Sequence, residues 1–173
     1  MIHNISLPAG QFGTGDVDAL FCGTLDCCKH PSYQDLEGLR VSSHFFIDRI
    51  GRLFQYVSCL DRAWHAGVSS FEGRENCNDF SIGVELEGTD STPYERVQYE
   101  TLARLTDALA EAYPIKYVTG HSMIAPLRKT DPGPAFDWLM YESLCKTGKP
   151  VVFSLRLIER SRPKFCIVGR RLI

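Results

Sequence analysis

The segment Ser81-Ile82-Gly83-Val84-Glu85-Leu86-Glu87 and the residues that follow it to position 121 constrain the fold more than any other part of the chain. Apolar and polar residues alternate through 81–87. Ile82, Val84 and Leu86 fall on one side and Glu85 and Glu87 on the other, the period of a strand. Thr92-Pro93-Tyr94-Glu95 then has the form of a capping box with proline at the first helical position. Leu102, Leu105, Leu109 and Ala112 line one stripe at helical spacing, and Pro114 stops the run. Residues 115–119 are expected to form a short strand that leads directly into Gly120 and His121. A strand, an amphipathic helix and a second strand in succession require a central sheet with helices packed on it, an α/β or α+β domain.

The rest of the chain agrees with that outline. Residues 6–15 are rich in Gly, Pro and small side chains and read as a loop. Asp16 is placed to cap a short helix through Ala19, Leu20 and Phe21. Residues 41–50 and 53–57 are β-branched and aromatic with Gly51 between them, which suggests a hairpin. A loop over 122–134 carries three prolines, and a second helix is expected from about 134 to 146. A length of 173 residues fits one domain, expected to be monomeric, with a core large enough to need no staple.

Charge and cysteine usage exclude several function classes. The formal net charge of −2 offers no global reason to bind nucleic acid. No apolar run is long enough for a membrane span. Met1-Ile2-His3-Asn4 has neither the basic start nor the apolar core of a signal peptide, so a cytoplasmic location is expected. Seven cysteines, an odd number at irregular spacing, read as reduced thiols. Cys22, Cys27, Cys28 and His30 lack the paired C-x2-C spacing of a structural zinc site. The charge is also unevenly spread. Residues 146–173 carry eight Lys and Arg against the single acid Glu159, a net of +7 that leaves −9 for residues 1–145. The expected organisation is therefore a domain over 1–146 and a basic C-terminal appendage over 147–173.

His121, Lys129 and Asp131 lie on one side of a proline-stiffened loop. Two histidines and a carboxylate suit zinc and leave a position for water, whose pKa the metal lowers toward about 7. A glutamate can take the proton, and a lysine can meet charge developing on a carbonyl oxygen. Glu85 or Glu87 could supply the glutamate. The plain alternatives are that Asp131 starts a turn at Pro132-Gly133 and that both glutamates form a solvated strand face.

Four motifs decide between these readings. His3-Asn4-Ile5-Ser6-Leu7-Pro8, Arg62-Ala63-Trp64-His65-Ala66-Gly67, the stretch 78–90 from Asn78-Asp79-Phe80 to Gly88-Thr89-Asp90, and Arg128-Lys129-Thr130-Asp131-Pro132-Gly133-Pro134 resemble the AmpD family. These are cytoplasmic, zinc-dependent 1,6-anhydro-N-acetylmuramyl-L-alanine amidases of bacterial cell-wall recycling. The resemblance runs in register from residue 2 to about 145. It implies the mixed-sheet fold shared with peptidoglycan recognition proteins, and hydrolysis of the amide joining the lactyl group of anhydro-muramic acid to L-alanine in an anhydro-muropeptide. It also implies that His3, His121 and Asp131 hold Zn²⁺, that Glu85 handles the water's proton, and that Lys129, as a buried ammonium, faces the oxyanion. Glu87 is then a neighbour of the base. Trp64 and His65 match the cleft wall, and Asn4, Arg40 and Ala125 fall where the family contacts substrate. Arg40 is either a clamp for a peptide carboxylate or an ordinary surface arginine, and His44 reads as a satisfied strand histidine.

The chain departs from the family pattern in four places. The apolar strand that normally precedes the first zinc histidine is missing, which would leave His3 on a fraying end with poorly fixed geometry. Asn76 stands where an arginine is common. Met123 and Leu127 replace acidic or polar residues, and the basic tail has no family counterpart. The rival readings are a muropeptide-binding module of the same fold without catalysis, and a secreted amidase acting on intact peptidoglycan. If the tail is an appendage, removing residues 150–173 will leave thermal stability and activity nearly intact; a collapse in melting temperature would make it part of the core.

Overall fold

A computed structural model describes residues 1–146, together with the backbone of residues 152–153 and 167–168. The central sheet has four strands: β1 (Ile2–Ile5), β2 (Phe45–Ile47), β3 (Leu53–Gln55) and a strand at Val84–Glu87. Two short strands intervene in sequence, β4 (Ser70–Phe71) and β5 (Arg74–Glu75), which pair only with each other, so the strand at Val84–Glu87 is β6. The order in the sheet is β1-β6-β2-β3, with β1, β6 and β2 parallel and β3 antiparallel to β2. The hairpin expected over 41–57 is therefore present, and the mixed α+β class holds.

The alternation in β6 sorts the two faces of the sheet. Val84 is in register with Ile2 and Phe45, and Leu86 with Ile47. These apolar positions join one core with Leu102, Leu105, Tyr99 and Tyr141. Leu102 and Leu105 lie on α2 (Arg96–Ala112), which packs across the sheet and against α4 (Trp138–Leu144). Glu85, in register with His3 and Phe46, occupies the opposite face. All four residues of β6 are buried, so Glu85 and Glu87 are not a solvated strand face. The reason is topological: β6 has a parallel strand on each side and chain covering both faces, as parallel strands generally do. Glu87 is occupied structurally, accepting the Gly13 N–H at 2.5 Å and the Arg49 N–H at 3.0 Å, and so ties two loops to the sheet.

His3 does not hang from a fraying end. It lies within β1, only 1% exposed, and β1 is held on both sides. Val84 N donates to Met1 O at 2.9 Å and Gly88 N to Ile5 O at 3.0 Å, while Ile2 N donates to Thr119 O at 2.8 Å on the other flank. The segment 115–119 is not a regular strand; it runs extended past Ile2 and makes a single parallel bridge at Gly120.

Other boundaries move for local reasons. α1 spans Asp16–Phe21 with Gly15 as its N-cap, and Asp16 instead accepts from Lys29 Nζ and the Tyr33 hydroxyl. α2 begins three residues later than the Thr92 box implies. Thr92 is engaged with the Thr89 hydroxyl, and Glu95 caps the helix by donating its N–H to Gln98 Oε1 at 3.0 Å. The second helix is α4 and begins only after Asp137, whose Oδ1 accepts from Met140 N at 2.9 Å. A one-turn helix, α3 (His121–Ile124), opens the proline-rich loop. Val152–Phe153 (β7) pairs antiparallel with Ile167–Val168 (β8); the basic segment proposed for 147–173 otherwise lies outside the described residues. No helix among the described residues is long and apolar enough to cross a membrane.

Leu102 is 1% exposed beneath the sheet and Leu139 is 64% exposed. Leu102→Ala is expected to cost about 2–5 kcal/mol in denaturant unfolding, and Leu139→Ala less than about 0.5 kcal/mol. Equal costs would contradict the placement of the core.

Candidate active site

β1 and the two ends of the proline-rich loop more than a hundred residues later meet above the Glu85 face of the sheet. β1 supplies His3, the first residue of α3 supplies His121, and the turn before α4 supplies Asp131. Their ligand atoms form a triangle. His3 Nδ1 and His121 Nδ1 are 3.0 Å apart, and each lies 3.0 Å from Asp131 Oδ2. All three residues are buried.

The outward nitrogen of His121 fixes its tautomer. Nε2 lies 2.9 Å from Ala66 O, which can only accept, so the neutral ring carries its proton there and presents a bare lone pair at Nδ1. Burial, chiefly, pushes the His3 imidazole down to about 4, which keeps that ring neutral at physiological pH. Two imidazole nitrogens and a carboxylate oxygen directed at one point are the donor set of a cation with three protein ligands. Among the described residues this is the one group of His, Cys, Asp and Glu side chains able to hold a metal ion.

Glu85 stands beside the triangle, in register with His3. Its Oε2 is buried and makes no hydrogen bond. Burial first, and then the charge of Asp131, raise its carboxyl well above the usual carboxylate range, while Lys129 opposes them. A raised carboxyl in a dry site is the pattern of a proton-transfer group.

Lys129 is exposed on the rim, contrary to the buried ammonium implied by resemblance. The turn that presents it is held by Ala125, whose carbonyl accepts from Arg128 N at 3.1 Å and Lys129 N at 3.0 Å. Ala125 itself is buried, so its backbone builds the turn. An ammonium on a long stem can reach inward from such a rim while remaining hydrated.

The other expected residues are dispersed. Asn4 is in register with Leu86, one position on from the His3–Glu85 pair, and its amide donates to Asp90 Oδ1 at 2.8 Å. Arg40 is exposed in the stretch before Ser42, whose N–H pairs with Trp64 O. Trp64 is 56% exposed with the Arg62 guanidinium 3.7 Å from its ring centroid. His65 turns inward and sets Nδ1 2.9 Å from His3 Nε2. His44 accepts the Gly83 N–H at Nδ1 and faces Asp61 O through Nε2, so both of its nitrogens are engaged. His30 accepts from Ser32 N as the cap of the 3-10 helix Pro31–Leu36. Of the departures from the family pattern, Asn76 has a left-handed backbone (φ 58°) and Leu127 is fully exposed.

The N-acetylmuramoyl-L-alanine amidase model matches residues 12–134. The chain belongs to that family. The matched span contains Glu85, His121, Lys129 and Asp131, and leaves His3 outside it. The chain is 56% identical over 146 residues to the 1,6-anhydro-N-acetylmuramyl-L-alanine amidase AmpD of Escherichia coli strain K12, covering 83% of this chain and 80% of that protein. It superposes on the crystal structure of an AmpD derivative with a TM-score of 0.82 at 55% identity, covering 84% and 82% of the two chains. It also resembles the amidase AmiD of E. coli in complex with anhydro-N-acetylmuramic acid-L-Ala-D-gamma-Glu-L-Lys. There the TM-score is 0.61 at 29% identity, over 83% of this chain and 55% of that one.

Sequence reasoning missed the outward contacts of the two histidines. The Trp64-His65-Ala66-Gly67 motif was the available signal, but a motif carries no information about which way a ring turns.

Glu85 yields a pH-dependent prediction for the family fold without metal. Well below its ordinary value of 4.5 the carboxyl is protonated whether the chain is folded or unfolded, and costs nothing. As pH rises past that value the unfolded chain ionises freely while the folded site resists, so stability is lost toward neutrality. In chelator at pH 7, Glu85→Gln should therefore melt higher than wild type, by roughly 2–4 °C for each kcal/mol recovered. The gap should close near pH 4, and coincident melts at pH 7 would contradict the raised carboxyl.

Proposed function

We propose that this protein is a zinc-dependent amidase that cleaves the amide between the lactyl group of 1,6-anhydro-N-acetylmuramic acid and L-alanine in muropeptides, in the cytoplasm, during cell-wall recycling. The observation that carries the reading is the buried His3–His121–Asp131 triangle with the unpartnered Glu85 carboxyl beside it. A binding module has no use for a desolvated, unpaired acid next to a metal site, because burying it costs stability and contributes nothing to ground-state affinity. The similarity to AmpD supports the substrate class.

In this reading His3, His121 and Asp131 hold Zn²⁺. When bound, the ion supplies Lewis acidity, lowering the pKa of water toward about 7 and polarising a carbonyl. Glu85 takes the proton of the attacking water and delivers it to the departing L-alanine nitrogen. Its desolvation raises its basicity enough for the first transfer and leaves it acidic enough for the second. Lys129 meets the negative charge that grows on the scissile carbonyl oxygen, an interaction absent from the ground state. Arg40 is suited to a peptide carboxylate, the exposed Trp64 face to the sugar, and Asn4 and Ala125 to the cleft around them.

Incubation with anhydro-N-acetylmuramyl-tripeptide should release free peptide, stop with chelator and recover with added Zn²⁺. Failure to hold stoichiometric zinc, or activity on intact peptidoglycan with none on the anhydro-muropeptide, would overturn the reading. Lys129→Ala should lower kcat by about 10²–10³ while zinc affinity stays near that of wild type. Parallel loss of both would contradict its role.

A further inference from the structure

Residues 65 and 66 touch both histidines of the donor triangle from outside. Ala66 O accepts from His121 Nε2, and His65 Nδ1 lies 2.9 Å from His3 Nε2. Where the proton sits in the second contact follows from the far end of a chain of hydrogen bonds. Cys77 O can only accept, so the Ser81 hydroxyl gives it its proton across 2.6 Å. With that proton committed, Ser81 Oγ can only accept from His65 Nε2, 3.4 Å away. His65 thus carries its proton on Nε2 and offers a bare Nδ1. The proton between the two rings belongs to His3 Nε2, which leaves His3 Nδ1 bare and facing Asp131 and His121.

The support is itself braced. Asn78, 6% exposed, accepts through Oδ1 from the N–H of His65 at 3.0 Å and of Ala66 at 2.8 Å. Arg128 Nη2 donates to Ala66 O at 3.0 Å and to Val68 O at 2.7 Å. The His65 ring rests on Gly83, where a Cβ would fall 2.5 Å from its Cγ, so only glycine permits this approach. The rings of His3 and His65 meet edge-on at 78°, which suits a hydrogen bond in the plane of one ring.

We propose that His65 is a positioning residue for the metal centre rather than a wall of the substrate cleft: as an acceptor at Nδ1 it locks His3 in the tautomer whose Nδ1 is free to ligate. Together with Ala66 O it makes residues 65–66 the outer support of both histidine ligands. The proposal rests on the zinc reading above. Outer partners of this kind hold ligand orientation and raise ligand basicity.

The test is zinc affinity of the full chain, measured by competition with a chromophoric chelator, together with the visible spectrum of the Co²⁺ form. His65→Phe keeps a flat ring and removes the acceptor; His65→Asn sets an oxygen near the position of Nδ1. His65→Phe should weaken zinc by about 10–100-fold and alter the Co²⁺ bands, with wild-type circular dichroism. His65→Asn should stay within about threefold of wild type, the margin left by an imperfect isostere. If His65→Phe fails to fold, His65→Leu replaces it, because it removes the acceptor with a smaller apolar side chain and should still weaken zinc severalfold. Unchanged affinity in His65→Phe, or in His65→Leu where that variant stands in for it, overturns the proposal, as does equal loss in His65→Phe and His65→Asn. A wild-type chain that binds no zinc overturns the metal reading itself, an outcome distinct from these.

Discussion

The parallel pairing of residues 2–5 with 84–87 is the contact on which the rest of the molecule depends. It does two things with one register. Ile2 and Val84 close the apolar face under α2, and His3 and Glu85 are set side by side on the other face. Because side chains alternate strictly along a strand, a slip of one residue would carry the ligand into the core and an isoleucine into the site. Hydrophobic burial and active-site geometry are therefore selected by the same hydrogen-bond ladder. Donor geometry cannot be lost without also uncovering the core.

Dryness is the second organising constraint. Glu85 Oε2 has no hydrogen-bond partner, and burial beside the negative Asp131 raises the carboxyl above the usual range. The same burial keeps the His3 ring neutral. Desolvation thus prepares a base and a ligand at once, and it strengthens every charge interaction made there. Lys129 sits outside that region, exposed on a turn built from the Ala125 carbonyl. A charge kept in water until it is needed avoids the penalty that a buried, unpaired ammonium would carry.

Much of this was legible in the chain. Alternation in 81–87 marked the central strand, the Leu102–Leu105–Leu109 stripe marked the main helix, and Pro114 marked its end. The four motifs carried four of the five residues now proposed for the reaction, and His121 lay between the third and the fourth. The failures share one cause. Thr92 looked like the cap of α2, but its neighbour Thr89 engaged it first, and Glu95 with Gln98 formed the cap. The alternative of a wet face for Glu85 and Glu87 stayed open because alternation reveals two sides of a strand and is silent on what covers the second. His3 looked unsupported because its support comes from residues 84–88 and 119, far along the chain.

Local sequence specified which residue types stand where: the strand and helix periods, the turn-forming glycines and prolines, and the histidines, acids and lysine able to do chemistry. Those depend on side-chain identity and short-range spacing, which a sequence contains. Convergence of His3, His121 and Asp131 within 3.0 Å, the hydrogen bonds that occupy Glu87 and leave Glu85 Oε2 without a partner, and the inward turn of His65 arise only when separate segments pack. Proximity, dielectric environment and the tautomer of a ring are properties of neighbours, and the neighbours are chosen by the fold.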